Sequence, residues 1–125
     1  MTDRELLELA AKACRYEFNG TWFHEDSGLL VWEPPRSYES RDWNPLTDDG
    51  DALRLAVTLQ LDITHNNPLD NHRYVCASRC GIEMVRDPVS EVEEFDDESW
   101  RIYATCRAIV RAAAEIGKQT KEQTP

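Results

Sequence analysis

Residues that favour turns break this chain at short intervals. Asn19-Gly20, Glu25-Asp26-Ser27-Gly28, Pro34-Pro35, Asn44-Pro45, Asn66-Asn67-Pro68 and Ser78 to Gly81 leave only brief apolar stretches between them. Such stretches suit short strands, because glycine, proline, asparagine and aspartate each interrupt regular structure for a separate steric or hydrogen-bonding reason. Helical spacing of apolar side chains survives in only a few places, so the chain is expected to be α+β.

The first helix is announced by Thr2 and Glu5, the spacing at which a hydroxyl and a carboxylate each satisfy a free N–H of the first turn. Leu6, Leu9, Ala10 and Ala13 mark its buried side, Arg4, Glu8 and Lys12 its wet side, and Asn19-Gly20 is its expected stop. Thr21 to His24 and Leu29 to Trp32 then flank a turn of hairpin length. Pro34-Pro35 ends the second of these strands, Arg36 to Asp42 reads as a loop, and Trp43 anchors its far end. Thr47 or Asp48 is placed to cap a second helix, Ala52 to Gln60, whose many apolar residues predict the most buried helix of the three.

Leu61 to Thr64, His72 to Ala77 and Ile82 to Val85 read as three further antiparallel strands. In the second of them Tyr74 and Cys76 share one face and Arg73, Val75 and Ala77 the other. Asp87 to Glu98 holds seven carboxylates and no base, and is expected to be a loop or a partly ordered flap. A last helix, capped by Asp97 or Ser99, gathers Ile102, Cys106, Ile109, Val110 and Ala113 on one face and ends near Gly117. The expectation is a single domain over residues 1–117, ordered α-β-β-α-β-β-β-α around a small antiparallel sheet of about five strands, with a frayed tail at 118–125.

The 24 acidic and 14 basic side chains leave a formal charge of −10. A sequence-general nucleic-acid binder needs clustered Lys and Arg to neutralise phosphates, so direct nucleic-acid binding is not expected. With 41% apolar residues and no apolar run of bilayer length, neither disorder nor a membrane span is indicated. Charge early in MTDRELLELAAKACR argues against an export signal, which makes a cytoplasmic location and reduced Cys14, Cys76, Cys80 and Cys106 the expectation.

His72, Cys76 and Cys80, with His65, are donor types that suit zinc. Residues four apart on a strand stand roughly 13 Å from one another, however, so no metal site is assigned. Thr47 to Asp51 offers clustered oxygens, which helix capping explains without an ion. No G-x-S-x-G nucleophile motif and no glycine-rich phosphate loop is present, and no catalytic residue or cofactor is assigned. Trp22, Trp32, Trp43 and Trp100 are many for this length; most should fill the core, with one or two left at a recognition surface.

Trp43-Asn44-Pro45-Leu46-Thr47-Asp48-Asp49-Gly50-Asp51-Ala52-Leu53-Arg54-Leu55-Ala56-Val57 and Ala104-Thr105-Cys106-Arg107-Ala108-Ile109-Val110-Arg111-Ala112-Ala113 resemble segments of small tailed-phage and prophage proteins of the phage ABA-sandwich type. The fit extends over Met1 to Ala13, Trp43 to Leu61 and Ala104 to Gly117, a little over a third of the chain. It implies two helix layers around a small antiparallel sheet, and it carries over neither an activity nor site residues.

These readings converge on an accessory protein of phage or prophage origin that binds a host or phage protein with a basic surface and performs no chemistry. The expected contact residues are Glu91, Glu93, Glu94, Phe95, Asp96, Asp97, Glu98 and Trp100, carboxylates set around aromatic anchors. Two alternatives stay open at this stage. One is a nucleic-acid mimic whose carboxylates stand in for phosphates. The other is a nucleotide or small-molecule binder of anti-defence type, using Arg36, Arg41 or Arg73 with stacked tryptophans.

Overall fold

A computed structural model describes residues 1–32, 39–79 and 88–122. Helix α1, Asp3–Ala13, opens as its sequence dictates, with the Glu5 N–H donating to the Thr2 hydroxyl at 3.1 Å. It ends well before Asn19-Gly20. The Tyr16 N–H donates to the Ala11 carbonyl and the Arg15 N–H to that of Lys12, with Arg15 in the left-handed region at φ 63°. An arginine thus closes the helix where glycine usually does, so no local stop signal is visible in the sequence. Asn19-Gly20 lies instead inside strand β1, Glu17–His24, where pairing with β2, Gly28–Trp32, is irregular between Phe18 and Phe23. The Asn19 side chain accepts the Thr21 N–H at 2.9 Å, a local turn that supplies the irregularity.

Gly28 sits at φ 78°, and both it and Leu29 stand opposite Trp43 of β3, Ser40–Trp43. A Cβ there would overlap the Trp43 carbonyl, so only glycine fits this bulge. The segment read as a loop over residues 36–42 is therefore partly strand; residues 36–38 lie outside the described residues.

Trp43-Asn44-Pro45 then turns into helix α2, Asp49–Thr58, capped by Asp48, whose carboxylate accepts the Asp51 N–H at 2.8 Å. Buried Asp51 in turn accepts the Asn44 N–H at 3.0 Å and pairs with Arg41 and Arg54 at 3.0 and 2.8 Å. The Asn44 amide group donates to the carbonyls of Glu25 and Asp26, which ties the β1–β2 turn to the start of α2. Contrary to expectation α2 is not the most buried helix. Leu53 and Val57, one turn apart, are 64% and 66% exposed. Both are apolar, but no element covers that face of the helix among the described residues.

Strands β4, Asp62–His65, β5, Arg73–Arg79, and β6, Val89–Phe95, form a second antiparallel sheet. Among the described residues the architecture is α+β with three helices, as expected, but in place of a single sheet of about five strands there are two sheets of three. The expected strand Ile82–Val85 lies outside the described residues. The acidic segment, read as a loop, supplies β6. Helix α3, Arg101–Glu122, runs through Gly117 without a break. Gly117 is there for proximity: a Cβ would overlap the Leu9 carbonyl of α1. Alanines 10, 11, 108, 112, 113 and 114, each at most 1% exposed, line the same helix pair and permit its close approach. α3 also packs on β5 and β6, and α1 on β1 and β2, so the two helices lie between the sheets. This inverts the layering that the phage resemblance implied. No described helix is long and apolar enough to cross a membrane.

Candidate functional site

Alternation along β6 sorts the acidic segment into two faces. Val89, Glu91, Glu93 and Phe95 turn towards α3, whereas Ser90, Val92 and Glu94 turn outward. An inward carboxylate requires a counter-charge, and α3 supplies it. Arg111 reaches Glu91 at 2.9 Å and Glu93 at 2.8 Å, and Arg107 lies 3.7 Å from Glu93. Hydrogen bonding to Glu93, reinforced by the charges of Glu91 and Glu93, raises the Arg111 pKa further. Glu91 and Glu93 are therefore structural charges in a sheet–helix interface and not a bare acidic face.

Beyond Phe95 the chain makes a single 3-10 turn, Glu98–Trp100, before entering α3. Asp97 caps the turn by accepting the Ser99 N–H at 2.9 Å, and bonding to the Ser99 amide and hydroxyl holds its carboxyl below the usual carboxylate range. The turn directs Trp100 outward. Trp100 is 54% and Tyr103 50% exposed, and their rings meet edge to face at 5.7 Å. Glu93, Glu94, Phe95 and Asp96 complete a shallow groove of about 210 Å³ with these two rings and Ala104. Glu94 stands 3.1 Å from the His72 ring, and the Asp96 carboxylate has no side-chain partner among the described residues.

Five of the eight expected contact residues are thus brought together in one groove: Glu93, Glu94, Phe95, Asp96 and Trp100. Glu91 faces α3, Asp97 caps the turn, and Glu98 points to the other side of the junction. There its carboxylate bonds to Arg101 and pairs with Arg73 at 3.1 Å. The Arg101 bond is the main cause, with Arg73 adding to it, that holds the Glu98 carboxyl below its ordinary value. Sequence reasoning missed Tyr103, although the spacing Trp100-x-x-Tyr103 puts both rings on one helix face once the helix start is known.

Of the other sequence candidates, His72 pairs with Glu94, Cys76 lies 3.4 Å from the Ser90 hydroxyl on the outer sheet face, and Cys80 is outside the described residues. Cys76 is half-buried, because strand alternation turns it to the outer face with Tyr74. Cys76 and Cys106 are free thiols. Among the described residues no group of three His, Cys, Asp or Glu side chains is placed to hold a metal ion. Among the tryptophans Trp43 alone is fully buried, against Tyr16 at 5.6 Å, while Trp22 joins Trp100 at the surface. Ile102, expected on the buried face of α3, is exposed because it precedes the stretch that the other elements cover. No protein-family model, curated protein or solved structure matches the chain.

Proposed function

We propose that the protein is a non-enzymatic accessory factor of phage or prophage type that binds a host or phage protein by holding one of its cationic side chains against Trp100 and Tyr103. The observation that carries this reading is the groove lined by two half-exposed aromatic rings and by Asp96, whose carboxylate has no side-chain partner among the described residues. A lysine or arginine side chain in that position gains the face of an aromatic ring and a carboxylate together. The surplus of 10 negative charges favours approach of a basic surface from a distance. The choice of a host or phage protein as partner rests on the letters of residues 43–57 and 104–113 alone, since the layering of the fold differs from the one that likeness implies. A nucleic-acid mimic has less support, because Glu91, Glu93 and Glu98 are already paired with arginines of the same chain.

The test compares the wild-type protein with Trp100→Ala as immobilised baits in bacterial lysate at low and high salt. The reading expects a basic protein retained by the wild type, released by salt and lost with the variant, while the variant's melting temperature stays within a few degrees. Equal retention by both baits would contradict it.

A further inference from the structure

On the far side of the same junction, His65, Asn66, Pro68, Asp70, Arg73, Glu98 and Arg101 enclose a cleft of about 390 Å³. Its floor is a guanidinium fixed on every side. Arg101 donates to the buried Asn66 side chain at 2.9 Å, lies 2.9 Å from His65 Nδ1, and covers the Phe95 ring at 4.7 Å. Asn66 is itself anchored, because its side-chain oxygen also accepts the Tyr74 N–H at 3.1 Å. The second guanidinium, Arg73, is held by the Asp96 carbonyl at 3.0 Å. Into the space between the two arginines projects one carboxylate, that of Glu98, which contacts both.

Two fixed guanidinium groups converging on one oxyanion form the geometry that recognises phosphate, since each offers a planar fork of donors. Glu98 accepts three hydrogen bonds from the two arginines, but no described element packs over it. Its side chain is 60% exposed and belongs to a single turn, so a change of rotamer is enough to withdraw it. The arginines have partners besides Glu98: Asn66, His65 and the Phe95 ring for Arg101, and the Asp96 carbonyl for Arg73. We infer that this cleft is a binding site for the phosphate group of a small molecule, with Glu98 as its intramolecular occupant. A phosphate dianion displaces the singly charged carboxylate because it brings more charge and more acceptor oxygens to the same two forks. The Asp70 carboxylate on the rim opposes anion entry, and together with the competition from Glu98 it keeps the affinity of the resting protein modest. The site is independent of the partner groove: the one takes an anion between arginines, the other a cation against aromatic rings.

The test is titration of the full chain with inorganic phosphate, and separately with ribose 5-phosphate, at constant ionic strength. Binding is followed by NMR through the Asn66 side-chain amide and the Arg73 and Arg101 Nε–H groups. The inference expects saturable shifts of these groups with at least one of the two ligands. It also expects about tenfold tighter binding in Glu98→Gln, where the internal competitor has lost its charge. Tighter binding of the ester identifies a sugar phosphate as the ligand, and equal binding identifies the phosphate group alone. Arg73→Gln, in which a partly exposed side chain is changed, loses the saturable response while keeping the native spectrum elsewhere. Absence of saturation with both ligands, or a Glu98→Gln affinity equal to that of the wild type, overturns the inference.

Discussion

Arg111 of α3 reaches under β6 and sets its guanidinium 2.8 Å from the carboxylate of Glu93. The same guanidinium holds Glu91 at 2.9 Å, so one arginine bridges two acids on the inner face of the sheet, and Arg107 adds a second positive charge 3.7 Å from Glu93. Replacing it leaves Glu91 without its guanidinium and Glu93 with only the longer Arg107 contact, and the two carboxylates are each only about a fifth exposed. Arg111→Ala is expected to lower stability by about 2 kcal/mol in urea denaturation, below the full cost of a buried unpaired charge because water reaches the pair. Adding Glu93→Gln to that variant should restore part of the loss. If the two losses simply add, the pair does not interact.

Helices α1 and α2 end in the same way, on a non-glycine residue in the left-handed region. At the end of α2 the Leu61 N–H donates to the Ala56 carbonyl and the Gln60 N–H to that of Val57, with Gln60 at φ 54°. A side chain there pays a steric penalty that glycine avoids. Gln60→Gly is expected to raise stability by about 0.5–1 kcal/mol despite the greater freedom of the unfolded chain. A lower urea midpoint would show that the strain is absent.

Gly117 stands where α3 touches the backbone of α1 at Leu9. Gly117→Ala would ordinarily favour a helix, by about 1 kcal/mol. Here the added methyl has only a backbone carbonyl to enter, and the two helices must separate. The expected outcome is a net loss of about 1–3 kcal/mol, read from the denaturation midpoint. Stabilisation would mean that the helices do not approach so closely.

The Cys106 thiol donates to the Asp49 carboxylate at 3.6 Å, and burial, followed by the negative charge of Asp49, pushes its pKa up to about 11. At pH 8 the thiolate fraction is then about a thousandth, so Cys106 should be the slowest of the three described cysteines to alkylate in the native state. The raised value also ties stability to pH. Below its ordinary value near 9 the thiol is neutral in both states and its contribution is intact. Between pH 9 and 11 it ionises only in the unfolded chain, so stability falls with rising pH. Cys106→Ala should flatten the stability profile in that window, and an unchanged slope would contradict the assignment.

Much of the fold was legible because local chemistry and global packing agree. The helix start at Thr2 and Glu5, a cap at Thr47 or Asp48 and the sharing of one strand face by Val75 and Ala77 all followed from spacing alone; which face is buried and that Asp48 is the cap did not. The misreadings have two physical origins, a helix closing on a residue type that does not announce a stop and a tertiary contact that overrode the local signal. Arg15 and Gln60 close helices without glycine, and Gly117 serves a helix crossing instead of a stop. Seven carboxylates between 87 and 98 look like a solvated loop until the arginines of α3, one turn apart at 107 and 111, are seen to neutralise the inward ones. The same blindness affected the candidate site. Its acids and Trp100 were legible as a cluster, but their division between a groove, a cap and an arginine pair depends on strand alternation that the loop reading denied. The Arg73–Glu98–Arg101 cluster joins residues up to 28 positions apart, and spacing gives no sign of it.

The central claim is that Trp100 and Tyr103, with Asp96, receive a cationic side chain. The most direct measurement is the NMR shift of the Trp100 indole N–H, assigned by its loss in Trp100→Ala, during titration with a short arginine-containing peptide and with the same peptide bearing glutamate. The account predicts a saturable shift with the arginine peptide that weakens in Asp96→Asn and is absent with the glutamate peptide. An indole signal that moves equally with both peptides, or with neither, would contradict it.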